Sequence, residues 1–403
     1  MKILFLSFYF PPDLSAGSFR ASALLDALMH FLLEEDEVHV ITTSPNRYSD
    51  FGARADEEEV RDKLIIKRVC LPEHNNGMLD QSRAFFTYAK GAKKFVADDK
   101  YDLVFSTSSR LMTATLGSYF SRKLNVPLYL DIRDLFVDTI KDVLPRKTVW
   151  LAKPFFSVIE KWTVSKANRL NVVSAGFLPY FKSKYPNVST TVFTNGIDDV
   201  FIGKLGTEAL NSSTIEITDG ERKNKPVEIV YAGNIGEGQG LHRIIPLIAK
   251  QLEGKAKFRV IGSGGRLTEL KNSLAKANCK NVTLEVPIKR DELIEVYQSA
   301  DILLLHLNDY DAFHKVLPSK LFEYGALGKP ILAGVAGFAA RFIRENLDNA
   351  AIFSPCDVDD AIRAFESLDI GTRPRTEFVR KFNRKAIMDS MAEDIIKCHG
   401  EGM

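Results

Sequence analysis

The chain opens with Lys2-Ile3-Leu4-Phe5-Leu6-Ser7-Phe8-Tyr9-Phe10, a nearly continuous apolar run that ends at the turn Pro11-Pro12-Asp13. A run of this kind is typical of a strand that is covered on both faces, as in a parallel sheet. A helix rich in Ala and Leu is predicted directly after the turn, at about residues 18–33. Strand, turn and helix in this order begin a doubly wound α/β domain.

The alternation of strands and helices continues in two series. The first predicts strands at 38–42, 64–69, 103–106, 128–131, 169–173 and 191–193 and a helix at 111–124. The second predicts strands at 228–231, 257–261, 282–285, 302–307 and 330–332 and helices at 241–252, 267–277, 290–299 and 318–327. Alternation of this kind predicts two mostly parallel sheets, and ligands of such sheets bind beyond the carboxyl ends of the strands.

Between the two series the apolar pattern fades into Gly, Thr, Ser, Asn and Lys. We therefore predict a Rossmann-like domain at 1–200, a linker at 201–226 and a second Rossmann-like domain at 227–373, with a cleft between the domains. The last segment, 374–403, is predicted to be one helix at about 375–399 that can pack back on the first domain.

The composition excludes several classes of protein. Four cysteines, Cys70, Cys279, Cys356 and Cys398, lack CxxC spacing, and the seven histidines form no HxxxH or HExxH, so we expect neither disulfides nor a metal site built by the protein. The apolar runs are of strand length, far below the ~20 residues that span a bilayer. Because Met1-Lys2-Ile3 runs straight into a strand, we expect no cleavable signal and a cytoplasmic protein.

The net charge of +2 is unevenly distributed. Residues 141–190 contain nine basic and two acidic side chains, interleaved with Trp150, Phe155, Phe156, Trp162, Phe177 and Phe181. This pattern suits an anionic membrane surface. The alternative is a solvated helix face whose aromatic side chains point into the core.

The segment from Leu317 to Pro330 predicts a short helix with Pro318 in its first turn. The start of the helix, together with Lys320, could bind phosphate. Glu323 lies one turn after Ser319 on the same face, where a carboxylate can accept the two hydroxyl protons of a ribose. The alternative is an ordinary surface pair between Lys320 and Glu323.

Two glycine-rich turns follow the first two strands of the second series. They are Gly233-Asn234-Ile235-Gly236 with Gly238 and Gly240, and Gly262-Ser263-Gly264-Gly265. Glycine allows the backbone to approach phosphate or a flat base closely. No Asp or Glu follows the second strand to hold an adenosine ribose, so a dinucleotide site is not predicted.

Two acidic candidates remain. Asp309-Tyr310-Asp311 has the form of a metal-binding DxD, but we favour contacts with substrate hydroxyls or a solvated loop. Asp134 ends a strand of the first domain and could act on an acceptor hydroxyl; the alternatives are an ion pair with Arg133 or a helix cap.

The chain resembles a retaining glycosyltransferase of family four with the two-domain GT-B fold. The matching motifs are Tyr9-Phe10-Pro11-Pro12 with Gly17, Asn195-Gly196-Ile197-Asp198, Tyr231-Ala232-Gly233-Asn234, Val260-Ile261-Gly262-Ser263-Gly264, Ala300-Asp301, and Leu317-Pro318-Ser319-Lys320-Leu321-Phe322-Glu323-Tyr324. The resemblance implies a nucleotide-sugar donor, no metal cofactor and acceptor binding by the first domain. The residues it implies at the donor are Gly17, Gly233, Asn234, Gly262, Ser263, Gly264, Ile288, Leu317, Pro318, Ser319, Lys320 and Glu323.

The chain departs from the family pattern at three positions. Lys315 replaces the first of two glutamates, and Asn234 and Gln239 replace a basic pair that binds diphosphate. We expect Lys320 to supply that charge and to act as a catalyst, with Asp134 as a second candidate. These departures resemble bacterial O-antigen and capsule transferases, including N-acetylfucosamine transferases, which implies a UDP-sugar donor, a polyprenyl-diphosphate-linked acceptor and a peripheral position on the inner membrane face.

Three other functions stay open from the sequence. The same fold could serve a nucleotide-sugar epimerase, which needs no acceptor. It could also serve a non-catalytic UDP-sugar-binding protein of a polysaccharide assembly complex. A dehydrogenase ranks last because the ribose-binding acid of such enzymes is absent.

Overall fold

The structure is a computed structural model, and it describes residues 1–13, 15–45, 55–72, 78–97, 99–108, 111–143, 146–202 and 225–401. The chain folds into two units. The first consists of Met1–Asn195 together with Arg384–Met403, and the second consists of Gly196–Asn383.

The first unit is built on an eight-stranded sheet with the order β3-β4-β2-β1-β5-β6-β7-β8. Its strands are parallel except β3, which runs antiparallel to β4 at the edge. The strands are β1 Lys2–Leu6, β2 Glu37–Thr43, β3 Glu58–Arg61, β4 Leu64–Val69, β5 Leu103–Thr107, β6 Leu128–Ile132, β7 Arg169–Val172 and β8 Ser189–Thr191. Strand β1 is central, which is why its run of apolar residues is buried.

In the described part of the first unit, six α-helices precede the point at which the chain enters the second unit. They are α1 Ala16–Phe31, α2 Met78–Val96, α3 Leu111–Leu124, α4 Phe136–Val143, α5 Arg146–Val164 and α6 Leu178–Lys184. The sequence prediction contained α1 and α3 and omitted the other four, as well as strand β3.

Strand β8 ends two residues earlier than the predicted end of the 191–193 strand, and side chains explain the difference. The Asn171 side-chain oxygen accepts from the Phe193 N–H at 2.6 Å. Arg20 donates to the Phe193 and Thr194 carbonyls at 2.8 and 2.7 Å. These backbone groups are therefore satisfied by buried side chains and need no strand partner.

Arg20 is itself a buried cation at the centre of the first unit. Its guanidinium donates to both oxygens of Asp131, at 2.9 and 3.0 Å, and both side chains are 2% exposed. Asn171 donates to the same carboxylate at 2.7 Å. The bidentate pair joins helix α1 to strand β6, because each charge needs the other once water is excluded.

The second unit contains a six-stranded parallel sheet with the order β11-β10-β9-β12-β13-β14. Its strands are β9 Val227–Asn234, β10 Ala256–Ser263, β11 Val282–Glu285, β12 Ile302–His306, β13 Ile331–Gly334 and β14 Ala350–Phe353. Its helices are α7 Leu241–Gln251, α8 Leu267–Lys276, α9 Arg290–Ser299, α10 Lys320–Ala326, α11 Gly337–Asn346, α12 Val358–Ser367 and α13 Thr376–Lys381. Apolar clusters cover both faces of the sheet, as expected for a doubly wound unit.

The predicted single helix at 375–399 is wrong, because the structure has two helices there. Helix α13 ends at Lys381, and α14 spans Arg384–Gly400. The interruption lies where the chain returns to the first unit: Ile197 N–H donates to the Phe382 carbonyl at 2.7 Å, and Arg384 donates to the Asn195 carbonyl at 2.9 Å.

Helix α14 packs on α1 through an apolar face that includes Met388, Met391 and Ile395. The chain therefore passes between units after Asn195 and after Asn383, whereas the predicted boundaries were 200 and 373. Most of the predicted 201–226 linker, residues 203–224, lies outside the described residues.

Within the described ranges, no helix combines the length and the hydropathy needed to cross a bilayer. All four cysteines are free thiols.

Candidate functional site

Most of the predicted binding residues of the second unit lie at one edge of its sheet. Strands β9 and β10 pair in register up to Gly262 opposite Gly233 and Ser263 opposite Asn234. Because the strands are parallel, the turns after β9, β10 and β12 all leave from the carboxyl edge, where doubly wound sheets bind ligands.

Glycine is required where the first two turns touch. Gly233 and Gly262 have φ of +148° and +153°, which other residues rarely adopt. A Cβ atom on Gly262 would lie 1.8 Å from the Gly233 carbonyl oxygen. The absence of side chains lets the two backbones meet and leaves the carboxyl edge open.

Lys320 lies over this backbone. A Cβ atom on Gly233 would be 2.7 Å from Lys320 Cε and 3.0 Å from its Nζ. Among the described residues, the Lys320 ammonium has no hydrogen-bond or ion-pair partner. In particular, it forms no ion pair with Glu323, so the ordinary surface pair considered from the sequence is not present.

The helix that carries Lys320 is shorter than predicted. Helix α10 spans Lys320–Ala326, whereas the sequence predicted 318–327. Seven residues give only a small dipole, so the charge of Lys320 dominates the attraction of this segment for an anion. Leu317 is buried in the apolar core, so only its backbone can face a ligand.

Glu323 lies on the same helix and is half-buried. Its carboxylate accepts no hydrogen bond from the described residues. Burial raises the pKa of the Tyr297 and Tyr324 hydroxyls, and the neighbouring Glu323 charge raises it further. Glu323 is thus a carboxylate with open acceptor capacity, one helical turn from an unpaired lysine.

Asn234 and Gln239, which replace the expected basic pair, bond to each other. Asn234 donates to Gln239 Oε1 at 2.8 Å, and Tyr231 donates to the Asn234 carbonyl at 2.7 Å. The turn is therefore rigid and uncharged at these positions. The nearby Arg266 is engaged by Glu237 and Glu269.

Sequence reasoning missed Glu237, which joins three turns of the edge. Its carboxylate accepts from Tyr310 at 2.5 Å and from Arg266 at 2.6 Å, and the Glu237 carbonyl accepts from Asn308 at 3.1 Å. Burial alone would raise the pKa of Glu237, but the bonds from Tyr310 and Arg266 hold it below its usual value.

His306, which sequence reasoning also missed, holds the glycine-rich turn after β9 in place through a side-chain hydrogen bond. Its Nε2 accepts from the Cys356 N–H at 3.1 Å, so the ring proton is on Nδ1, which donates to the Gln239 carbonyl at 2.6 Å. Burial lowers the pKa of His306 to about 4, so the ring is neutral at physiological pH. The available signal was one histidine at the end of an otherwise apolar strand.

In the DxD segment, the side chains of Asp309 and Tyr310 contact different neighbours. Asp309 Oδ1 lies 2.9 Å from His314 Nε2, and Tyr310 bonds to Glu237. In the described part of the chain, no group of three His, Cys, Asp or Glu side chains is arranged to hold a metal ion. Ile288 lies between β11 and α9, partly buried against the core.

In the first unit, Gly17 and Arg133 lie together. Gly17 is in the first turn of α1, which Ser15 caps by accepting from the Ser18 N–H at 3.1 Å. A Cβ atom on Gly17 would be 3.4 Å from Arg133 Nη1. Burial, with the cations of Arg20 and Arg384 nearby, lowers the pKa of Arg133 to about 10, so it stays charged at neutral pH. Asp134 follows Arg133 and is exposed.

Two α/β units built on mostly parallel sheets, with glycine-rich turns and an unpaired cation at the carboxyl edge of the second, have the architecture of the GT-B fold. Comparison with known families agrees: residues 213–384 match the model described as "Glycosyl transferases group 1". The chain is a glycosyltransferase with the GT-B fold.

Solved structures of the same fold cover nearly the whole chain at low identity. An α,α-trehalose-phosphate synthase (UDP-forming) from Burkholderia xenovorans, in complex with glucose-6-phosphate, is 14% identical with a TM-score of 0.66, covering 98% of this chain and 100% of that one. Anabaena Alr3699/HepE, in complex with UDP and glucose, is 13% identical with a TM-score of 0.63 and the same coverage. WaaG, a glycosyltransferase involved in lipopolysaccharide biosynthesis, is 12% identical with a TM-score of 0.58, covering 99% and 98%. A comparison with curated protein sequences gave no match.

Proposed function

We propose that the protein transfers a sugar from a UDP-sugar to a polyprenyl-diphosphate-linked acceptor, with retention of configuration, in the assembly of an O-antigen or capsular polysaccharide. The donor sugar is N-acetylated, N-acetylfucosamine being one example. The observation that carries the donor class is the pair of unpartnered charges on α10, Lys320 beside the Gly233 backbone and Glu323 one turn further.

The two charges suit the two ends of a nucleoside diphosphate. Lys320 would attract the diphosphate and stabilise the negative charge that grows on it as the glycosidic bond breaks, because a positioned cation counts most where charge develops. Glu323 would accept from the two ribose hydroxyls. UDP is bound in the HepE structure, which supports the choice of nucleotide.

Asn234 and Gln239 are neutral, so they bring no charge to the glycine-rich turn after β9. Lys320 lies beside this turn, and its charge has no partner among the described residues. Lys315 stands in the place of the donor-sugar carboxylate of the family pattern, which motivates a donor outside the common hexoses. Asp134, exposed at the end of β6, is the candidate for the acceptor hydroxyl.

Activity is tested with purified protein, a panel of UDP-sugars and a synthetic polyprenyl-diphosphate-linked N-acetylhexosamine, with NMR of the product's anomeric proton. Transfer with retention supports the proposal. Epimerisation of the donor without acceptor would replace it with the epimerase function, and UDP-sugar binding without turnover across the panel would favour the non-catalytic one.

Because the proposed acceptor is lipid-linked, we also propose that the protein binds an anionic membrane surface. This proposal rests on helix α5. Trp150, Phe155, Val158 and Trp162 are 78%, 62%, 69% and 40% exposed. Phe177 and Phe181 from the same basic segment are buried, so the core interpretation is correct for those two rings. The exposed rings remain a surface that an anionic lipid bilayer would cover.

Helices α2 and α3 extend this face. Lys93 of α2 lies over the Tyr119 ring of α3 at 4.6 Å, and Arg122 of α3 lies over the Trp162 ring of α5 at 4.8 Å. The three helices contain ten Lys and Arg and two acids, one of which, Glu160, is buried. Each cation near an anionic surface adds about 1 kcal/mol of attraction.

Vesicle flotation tests this face. The protein should float with phosphatidylcholine vesicles that contain phosphatidylglycerol, should float less in high salt, and should not float with phosphatidylcholine alone. Replacing Phe155 and Trp162 with Ser should reduce flotation several-fold, whereas Val60→Ser, an exposed apolar residue on β3, should not. Equal flotation of both variants would contradict the assignment.

A further inference from the structure

The first unit contains a cavity of about 30 Å³. Of the residues that line it, only Asp134 has a proposed role in the reaction so far. The cavity lies beyond the carboxyl ends of β5 and β6, where Ser108 and Asp134 follow those strands. Helices α3, α4, α5 and α6 supply the remaining wall. A space of this size admits a hydroxyl group or a few water molecules.

Glu160 of α5 faces this cavity and is 4% exposed. One carboxylate oxygen, Oε1, accepts from the Tyr180 hydroxyl at 2.7 Å and the Tyr185 hydroxyl at 3.0 Å, with Lys184 Nζ 3.6 Å away. The other, Oε2, has no hydrogen-bond partner among the described residues. Oε2 keeps some accessible surface, so its acceptor capacity is open to the cavity.

The tyrosines fix the carboxylate in place. Burial, and then the Glu160 charge, raise the pKa of both tyrosine hydroxyls, so they remain protonated donors. Since Oε1 is held by two donors, the position of Oε2 is set without further contacts. Glu160 therefore presents a fixed acceptor to the cavity.

The lining decides the class of ligand. Glu160 and Asp134 are acids, so a phosphate or diphosphate would be repelled. Phe136 and Phe181 are apolar walls, which suit the C–H groups that flank a hydroxyl on a sugar. The partner that satisfies both features is a sugar hydroxyl group.

We infer that Glu160 binds one hydroxyl group of the acceptor sugar, which enters this cavity from the carboxyl edge and donates to Oε2. This inference rests on the proposed transferase function and assigns an acceptor-specificity residue to it. Glu160 thereby selects acceptors that carry a hydroxyl at one position and anchors them during transfer, without contacting the reacting atoms.

The test is Glu160→Gln, which keeps an oxygen for the tyrosines and replaces the Oε2 acceptor with an N–H donor. We expect the acceptor KM to rise at least tenfold, while the donor KM and the slow release of UDP without acceptor stay within twofold. The control is Tyr180→Phe, which removes one donor to Oε1 and leaves Oε2 unchanged; its acceptor KM should move far less than that of Glu160→Gln.

A purely structural role would instead lower the melting temperature of both variants and change donor and acceptor KM together, and that result overturns the inference. Where no transfer is detected with any donor, saturation-transfer NMR with methyl glycosides of glucose, galactose and N-acetylglucosamine separates the two proposals. Sugar binding that Glu160→Gln abolishes, with UDP binding retained, supports this site independently. Sugar binding unchanged by Glu160→Gln, or a cavity that holds only water, refutes it.

Discussion

Replacing Lys320 with methionine removes its charge while keeping most of the length of the side chain, and we expect this change to weaken UDP binding selectively. The ammonium lies beside the Gly233 backbone and has no partner in the described part of the chain. Removing it should therefore leave the protein's stability nearly unchanged, within about 0.5 kcal/mol, as for other surface substitutions. Any loss of binding then reports on the ligand contact.

The size of the loss follows from the charge and its partial exposure. Two unit charges about 4 Å apart interact by about 4 kcal/mol at an effective dielectric constant near 20. Lys320 is partly exposed, so solvent screening reduces this figure, and we take roughly half, about 2 kcal/mol. The dissociation constant of UDP should rise about 30-fold.

The assay is calorimetric titration with UDP and with uridine, which lacks the diphosphate. Lys320→Met should weaken UDP strongly and change uridine binding less than about twofold, because uridine carries no charge for Lys320 to attract. Glu323→Gln should weaken both ligands alike, by roughly 10- to 150-fold, since a lost charged hydrogen bond costs roughly 1.5 to 3 kcal/mol and the ribose is common to both.

Lys271→Ala, on the exposed surface of α8, serves as the control for charge alone and should affect neither ligand. Equal losses for UDP and uridine in Lys320→Met would refute the diphosphate assignment. An unchanged uridine affinity in Glu323→Gln would refute the ribose assignment.

Three further changes test how the two units are built. Gly262→Ala places a Cβ atom 1.8 Å from a backbone oxygen and should lower the melting temperature and abolish UDP binding, whereas Gly265→Ala, with open space around it, should do neither in a thermal-shift assay. His306→Asn keeps a donor for the turn but cannot titrate. Because the pKa of His306 is about 4 when folded and 6.5 when unfolded, the unfolded state takes up the proton first and stability falls as the pH drops from 6.5 towards 4. The free energy of unfolding, measured with denaturant, should fall between pH 7.5 and pH 4.5 by roughly 2 to 3 kcal/mol less in the variant than in the unmodified protein. An identical fall in both proteins would exclude a buried neutral ring. Arg20→Ala leaves the Asp131 carboxylate buried without its cation and should destabilise the first unit by roughly 3 to 5 kcal/mol, with UDP affinity unchanged; a small loss by calorimetry would contradict the buried pair.

Local patterns were sufficient for most strands of both sheets. Leu64–Val69 and Val282–Glu285 match their predicted bounds because short apolar runs between turn residues have few alternatives in a parallel sheet. Helices α2 and α5 were missed although their apolar and polar residues follow the helical period. The strand predicted at 191–193 was misplaced because buried side chains, remote in sequence, satisfy that backbone.

For the candidate site, the sequence determined the residue types: glycines at the turns, Lys320 and Glu323 on one short helix, and neutral residues where a basic pair was expected. Only the tertiary structure decided that Lys320 lies over Gly233 with no ion-pair partner among the described residues, that Asn234 is bonded to Gln239, and that Glu160 has an acceptor oxygen facing a cavity. The physical reason is that the conformational preference of the backbone and the apolar pattern of a segment depend on neighbours along the chain, which the sequence displays. Whether a charge is paired depends on neighbours in space, which are set only when the strands and helices have packed.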